Sequence, residues 1–137
     1  MPGKEKFMED LPHMINYIVV FLGGGIGAVA RFVLATWIGQ RWGRSFPLGT
    51  FVINVSGSFL IGFLMTLMAD LFIENPQWRL FLVVGGLGGY TTFSTFEYET
   101  GKLVFDGEIG YAALNMVLSV TVGFIALKLG DVIGKTI

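Results

Sequence analysis

The sequence predicts an all-α membrane protein of four transmembrane helices per subunit, the third broken at mid-membrane. Three observations predict it. Of 137 residues, 53% are hydrophobic and 14% charged, with a mean hydropathy of +0.70, whereas soluble domains carry about 25% charged residues. Four apolar stretches approach or exceed the roughly 20 residues that cross a bilayer. Inside the third lies Gly85-Gly86-Leu87-Gly88-Gly89, four glycines in five residues, each disfavouring helix by about 1 kcal/mol relative to alanine.

Taken in order, the spans fall near 14–39, 48–73, 79–105 and 109–133. Met14 to Ala30 is uncharged, and the apolar run continues past Arg31 through FVLATWIG. Ser45 to Ala69 is uncharged over 25 residues. Leu80 to Phe96 is uncharged over 17 and extends past Glu97, Glu99 and Lys102. Ile109 to Leu127 contributes 19 more. The connectors QRWGRSFP, ENPQW and DGE each hold a glycine or proline that ends a helix. A single domain over 1–137 is expected. Trp37, Trp42 and Trp78 fall near helix ends, where an aromatic belt belongs.

Composition also excludes. Without cysteine there is no disulfide, thiolate metal site or thiol catalysis. A net charge of −1 offers nucleic acid no attraction. The N-terminal MPGKEKFMEDLPHM mixes charges and lacks a small-residue cleavage site, so no cleaved signal peptide is expected. His13 reads as an ordinary surface residue. No paired carboxylates at depth, metal-ligand cluster or nucleophile with a histidine base points to an enzyme.

Four spans put both termini on one side, with Lys4, Lys6, Arg79, Lys128 and Lys135; the other side has Arg41, Arg44 and Lys102, with Arg31 if it snorkels there. Orientation follows a clear Lys/Arg excess, and this margin is small. Either one orientation prevails narrowly, or the chain inserts both ways and pairs antiparallel. Four helices this size enclose little interior, which favours a dimer.

Polar groups within the spans each need a reason, because an unsatisfied one costs several kcal/mol in lipid. Asn54 and Ser58 are four apart on one face of the second helix, near Gly57 and Gly62; Asn115 and Ser119 repeat the pattern on the fourth, extended by Gly123 and, toward one end, Tyr111. Each pair reads either as an interhelical hydrogen bond or as donors to a passing solute. Arg31 either snorkels or pairs with a carboxylate such as Glu99. Glu97 and Glu99 are ordinary interface charges or a vestibule.

The glycine cluster reads as a break in the third helix or as a close-packing surface. Non-helical backbone in a bilayer is tolerated where it is buried in protein or lines a cavity, and freed carbonyl oxygens are hard ligands suited to Na⁺. Phe93 and Phe96 follow, three apart on one face beside Thr92, Ser94 and Thr95. Such a pair packs as grease, or else turns the positive ring edge toward an anion. Neutral donors and ring edges hold a small anion without the full charge that would trap it.

At these residues the chain resembles the Fluc/CrcB fluoride channels. The blocks are GGGIGAVARF (23–32), GTFVINVSGSFLIG (49–62) and GGLGGYTTFSTFEYET (85–100), and the match covers nearly all of 15–133. The resemblance implies an antiparallel, dual-topology homodimer in the cell inner membrane, with two pores and passive, fluoride-selective export. It implies a structural Na⁺ held by the backbone carbonyls of Gly88 and Thr91. It assigns the pore to Phe93, Phe96 and Asn54, and matches Arg31 and Glu99 to the motif's arginine and glutamate; Ser119 and a hydroxyl from Thr92 or Thr95 are expected to assist. The polar track of the fourth helix falls on Asn115, Ser119 and Gly123. Where relatives carry tyrosine at the first of these and serine at the last, this chain departs, and Glu97 stands where a small residue is common.

The rival from another class is a small dual-topology multidrug transporter, which needs a deep carboxylate for proton exchange; the first helix carries Arg31 instead. A scaffolding membrane subunit would explain the glycines but not the aligned Asn, Ser, Thr and Phe.

Overall fold

The computed structural model describes residues 2–42 and 45–137. Arg44 lies outside them, as do the side chains of Lys4 and Lys6. Helix α1 runs from Pro2 to Trp42, beginning well before the expected span and carrying Pro12 inside it. Helix α2 (Leu48–Leu67) is followed, after an irregular residue at Met68, by the short α3 (Ala69–Glu74). Then come α4 (Pro76–Arg79), a π-helical segment (Leu80–Leu87), α5 (Gly88–Tyr90), α6 (Phe93–Phe105) and α7 (Ile109–Thr136). Among the described residues there is no strand. By length and composition α1, α2 and α7 are each able to cross a membrane, and the chain is a membrane protein.

The remaining expected span is present in two pieces, α4 to α5 and then α6, separated by Thr91 and Thr92. Helix α6 has 13 residues, about 20 Å at 1.5 Å per residue, too short to cross alone. The break does not fall in the glycine cluster. Gly85 to Gly89 stay helical, in wide π turns and then one α turn. The reason is packing. A Cβ at Gly27 would run into the Gly86 carbonyl oxygen, one at Gly89 into that of Gly24, and one at Gly85 would lie 2.6 Å from that of Val20. The glycines let the π segment lie backbone to backbone on α1. Lipid supplies no hydrophobic drive between helices, so such van der Waals contact takes its place.

A second seam joins α2 to α7. The buried residues of α7 are Ala112, Asn115, Gly123, Ala126, Gly130 and Gly134, a mostly small-residue face at three- and four-residue spacing. Gly130 abuts the Phe59 carbonyl, and Gly62 abuts that of Leu127. Between α6 and α7 the chain reverses at Gly107, whose φ of 82° lies in the left-handed region that glycine adopts without strain. Gly107 N donates to Val104 O (3.1 Å) and Glu108 N to Leu103 O (2.8 Å), the bond pair of a Schellman cap. At the far end of α1, the Arg41 guanidinium sits 4.7 Å from the Trp37 ring centre, an apolar body with a charged tip fit for the membrane boundary.

Backbone contact leaves no room for side chains. Gly130→Val is expected to destabilise the fold by about 1–3 kcal/mol or more, read as a lower melting temperature in detergent. Gly39→Ala, with nothing within 4 Å of the added methyl, is expected to raise it slightly, through up to about 1 kcal/mol of helix preference.

Candidate functional site

The site is built around the interruption. Thr91 (φ −81°, ψ 158°) and Thr92 (φ −152°, ψ 114°) are extended; Thr91 N still donates to Leu87 O (2.9 Å), and the N–H and C=O of Thr92 leave the helical ladder. Asn54, on α2, receives them. Its Nδ2 donates to Thr92 O (3.0 Å) and its Oδ1 accepts from Thr92 N (2.9 Å), as a neighbouring strand would. The Thr91 hydroxyl donates back to Leu87 O (2.9 Å). Thr92 then caps α6: its Oγ1 accepts from Thr95 N (3.3 Å) and donates to Thr95 Oγ1 (2.9 Å), the usual service of a threonine N-cap. Because Thr92 N is turned to Asn54, Gly88 O loses its i+4 donor, and the last carbonyls of a helix have no partner within it. Gly57 makes the seat: a Cβ there would collide with Thr91 Cγ2.

A cleft of about 490 Å³ opens beside this seat. Asn54, Gly88, Thr91, Thr92, Phe93, Phe96 and Ser119 all border it, and among the described residues no charged side chain does. The Phe93 and Phe96 ring centres are 5.8 Å apart with planes tilted by 34°. Phe93 is 71% exposed, so its ring projects out of the subunit.

Thr95 and Asn115 stand off the cleft wall. Asn115 is 1% exposed and clamps α7 to α6: its Nδ2 donates to Thr100 Oγ1 (2.8 Å), which donates to Phe96 O (2.7 Å), while Ser119 Oγ donates to Asn115 Oδ1 (3.3 Å). Buried Thr100 is the member that sequence reasoning missed. Its signal was its place four residues after Phe96 in the third motif block. Ser58 does border the cleft, with its hydroxyl hydrogen given to Asn54 O (2.8 Å). A Cβ at Gly123 would lie 3.6 Å from Ser58 Oγ, so that glycine sits directly beside the hydroxyl.

Arg31 and Glu99 do not pair. Among the described residues the one ion pair joins Lys135 Nζ to Asp131 Oδ2 (2.8 Å), and Thr66 Oγ1 donates to Asp131 Oδ1 (2.7 Å). Glu99 instead borders a second cavity, of about 400 Å³, with Lys102, Asp106, Ile38 and Phe46, and its Oε2 is buried without a hydrogen-bond partner among the described residues. Among those residues no three His, Asp or Glu side chains gather to hold a metal. The hard oxygen donors at the interruption are main-chain carbonyls. Asn54→Ala strips Thr92 of both partners, and each unpaired buried group costs about 1–3 kcal/mol. The expected result is a melting temperature lowered well beyond that of Asn54→Asp, which keeps the acceptor for Thr92 N.

The family described as "CrcB-like protein, Camphor Resistance (CrcB)" matches residues 18–131. The chain is similar to the fluoride-specific ion channel FluC of Solibacter usitatus, at 47% identity over 121 residues that cover 88% of this chain and 99% of that protein. It is similar to the protein of the same name from Acidobacterium capsulatum, at 46% over 123 residues (90% and 98% coverage), and to that of Hydrogenovibrio crunogenus, at 46% over 123 residues (90% and 93%). With matches of this extent and identity to such relatives, the chain belongs to the CrcB family.

Proposed function

We propose that the protein is a fluoride-selective channel that lets fluoride leave the cytoplasm passively and performs no chemistry. The observation that carries this reading is the uncharged cleft in which an amide, hydroxyls and two phenylalanine rings meet beside the helix interruption. The relatives' names agree with it. Fluoride enters as neutral HF from acid surroundings and dissociates inside, so an open conduit suffices to return it down its electrochemical gradient.

The ion is small and strongly hydrated. Its path must replace water with donors, yet hold it loosely enough for release. Asn54 has two amide hydrogens, and one is engaged with Thr92 O; the other is the donor offered to the ion. The ring edges of Phe93 and Phe96 add positive potential. Ser119 and Thr92 border the wall with their hydroxyl hydrogens given to Asn115 Oδ1 and Thr95 Oγ1, and each would donate to the ion by rotating its single O–H toward it. Arg31 and Glu99 serve the approaches rather than the constriction.

The working unit in this proposal is an antiparallel, dual-topology homodimer of four-span subunits in the cell membrane, with two pores. The outward-projecting Phe93 and the cleft's open side favour completion by a second copy. The interrupted helices of the two copies meet near mid-membrane. There the carbonyls of Gly88 and Thr91 would hold a structural Na⁺, whose role is to fasten the two copies. The fit rests on the carbonyl of Gly88, deprived of its amide donor by the Thr92–Asn54 bond.

The test is efflux from fluoride-loaded liposomes, recorded with an electrode beside a chloride control. Purified protein is expected to release fluoride rapidly and without proton coupling; folded protein that releases none above empty liposomes rejects the proposal. Phe93→Ile is expected to slow release by more than about tenfold, a barrier change of about 1.4 kcal/mol, with the dimer intact by size-exclusion chromatography.

A further inference from the structure

Three consecutive residues at the interruption rest on three different points of α2. Thr92 is held by Asn54, and Thr91 fits the notch at Gly57. The third point lies on the other flank of that notch: the Tyr90 hydroxyl is 2.8 Å from Ser56 Oγ. Ser56 Oγ also donates to Ile53 O (3.1 Å). A hydroxyl has one hydrogen, so with the serine proton on Ile53 O, Tyr90 donates to Ser56. The Tyr90 ring passes over Gly57 on the way, with Cδ1 3.5 Å from where a Cβ would stand. On α2, Asn54 and Ser56 are two apart and face nearly opposite ways, about 200° round the helix. The strap at residues 90–92 is therefore gripped from both sides of the Gly57 notch.

Tyr90 lies between Gly88 and Thr91, whose carbonyl oxygens are the cation ligands of the reading above. We infer that Ser56 and Tyr90 are positioning residues for that carbonyl pair: their hydrogen bond sets the strap's rotation over the notch, and with it the direction in which the two carbonyls point. The inference rests on the proposed Na⁺ site and adds side chains that touch neither ion. Asn54 fixes the strap at its far end, past Thr91. The turn from Gly88 to Tyr90 is closed on itself by Thr91 N donating to Leu87 O (2.9 Å), and the Ser56 bond is what anchors that turn to α2 ahead of Thr91.

The test compares wild type, Tyr90→Phe, Ser56→Ala, the double variant and Ser56→Thr, each verified as folded by size-exclusion chromatography. The readout is the NaCl midpoint, meaning the concentration equal to the apparent Na⁺ dissociation constant fitted to the rise of the melting temperature in detergent, at constant ionic strength with N-methylglucamine as the replacement cation. Tyr90→Phe and Ser56→Ala are each expected to raise that midpoint on the order of fivefold, the weight of one net hydrogen bond. The double variant is expected to go no further than either single change, and Ser56→Thr, which keeps a hydroxyl, to restore the wild-type midpoint. If wild type responds to Na⁺ but the single variants keep its midpoint and merely melt lower in both salts, the pair only packs helices and the inference is overturned. If wild type itself shows no Na⁺ response, the cation site is overturned first and the inference goes with it. Should Tyr90→Phe fail to fold, Ser56→Ala against Ser56→Thr decides the same question.

Discussion

A main-chain amide in lipid has no water to turn to, and leaving one unpaired costs several kcal/mol. The architecture follows from how that debt is settled at Thr92. Its N–H and C=O both go to the side-chain amide of Asn54, the one side chain type besides glutamine that offers a donor and an acceptor side by side. With that pairing made, the helix is free to stop before Thr91 and restart at Phe93, and the restart is capped by Thr92 itself. Phe93, Phe96 and the hydroxyls are then carried at the start of a new helix, beside the cleft instead of deep within a continuous rod.

The glycines have a separate task. Seams between α1 and the π segment, and between α2 and α7, are backbone against backbone. Interlocking of this kind fixes the axial positions of helices to within a fraction of a turn, because each glycine fits one carbonyl. That register is what brings Asn54 level with Thr92 and Asn115 level with Thr100, since hydrogen bonds near 2.8–3.0 Å tolerate little sliding.

Much of this was legible in the residues, and the limits are physical. Apolar length marked α1, α2 and α7 to within a few residues at most ends, because lipid demands a long uninterrupted stretch. The same rule revealed the third segment but not where it parts. The glycine cluster signalled irregularity, and the irregularity is a run of wide π turns; the parting follows at Thr91, chosen by a partner 38 residues away, which no local propensity encodes. Four-residue spacing correctly put Asn54 with Ser58 and Asn115 with Ser119 on shared faces. It left open whether their polar atoms face the cleft or their neighbours, and Ser58 and Asn115 are occupied by neighbours. Arg31 and Glu99 are opposite charges in one hydrophobic chain, yet charge alone does not bring them into contact. The Ser56–Tyr90 bond had no signal at all, since a serine and a tyrosine at unrelated spacings become partners only once the strap is laid across Gly57.

The two pieces of the parted segment answer to different companions. The piece ending at Tyr90 lies on α1 through its glycines, whereas α6 is tied to α7 through Asn115 and Thr100. Two extended residues cannot transmit bending or twist as a continuous helix does. The subunit is thus jointed: the first piece packs on α1, α6 is tied to α7 and its close companion α2, and the strap between them is bound to α2. Bonds from the strap to α2, and not the stiffness of an unbroken rod, hold the two pieces in line, so the rings at the start of α6 owe their placement to side chains at the joint.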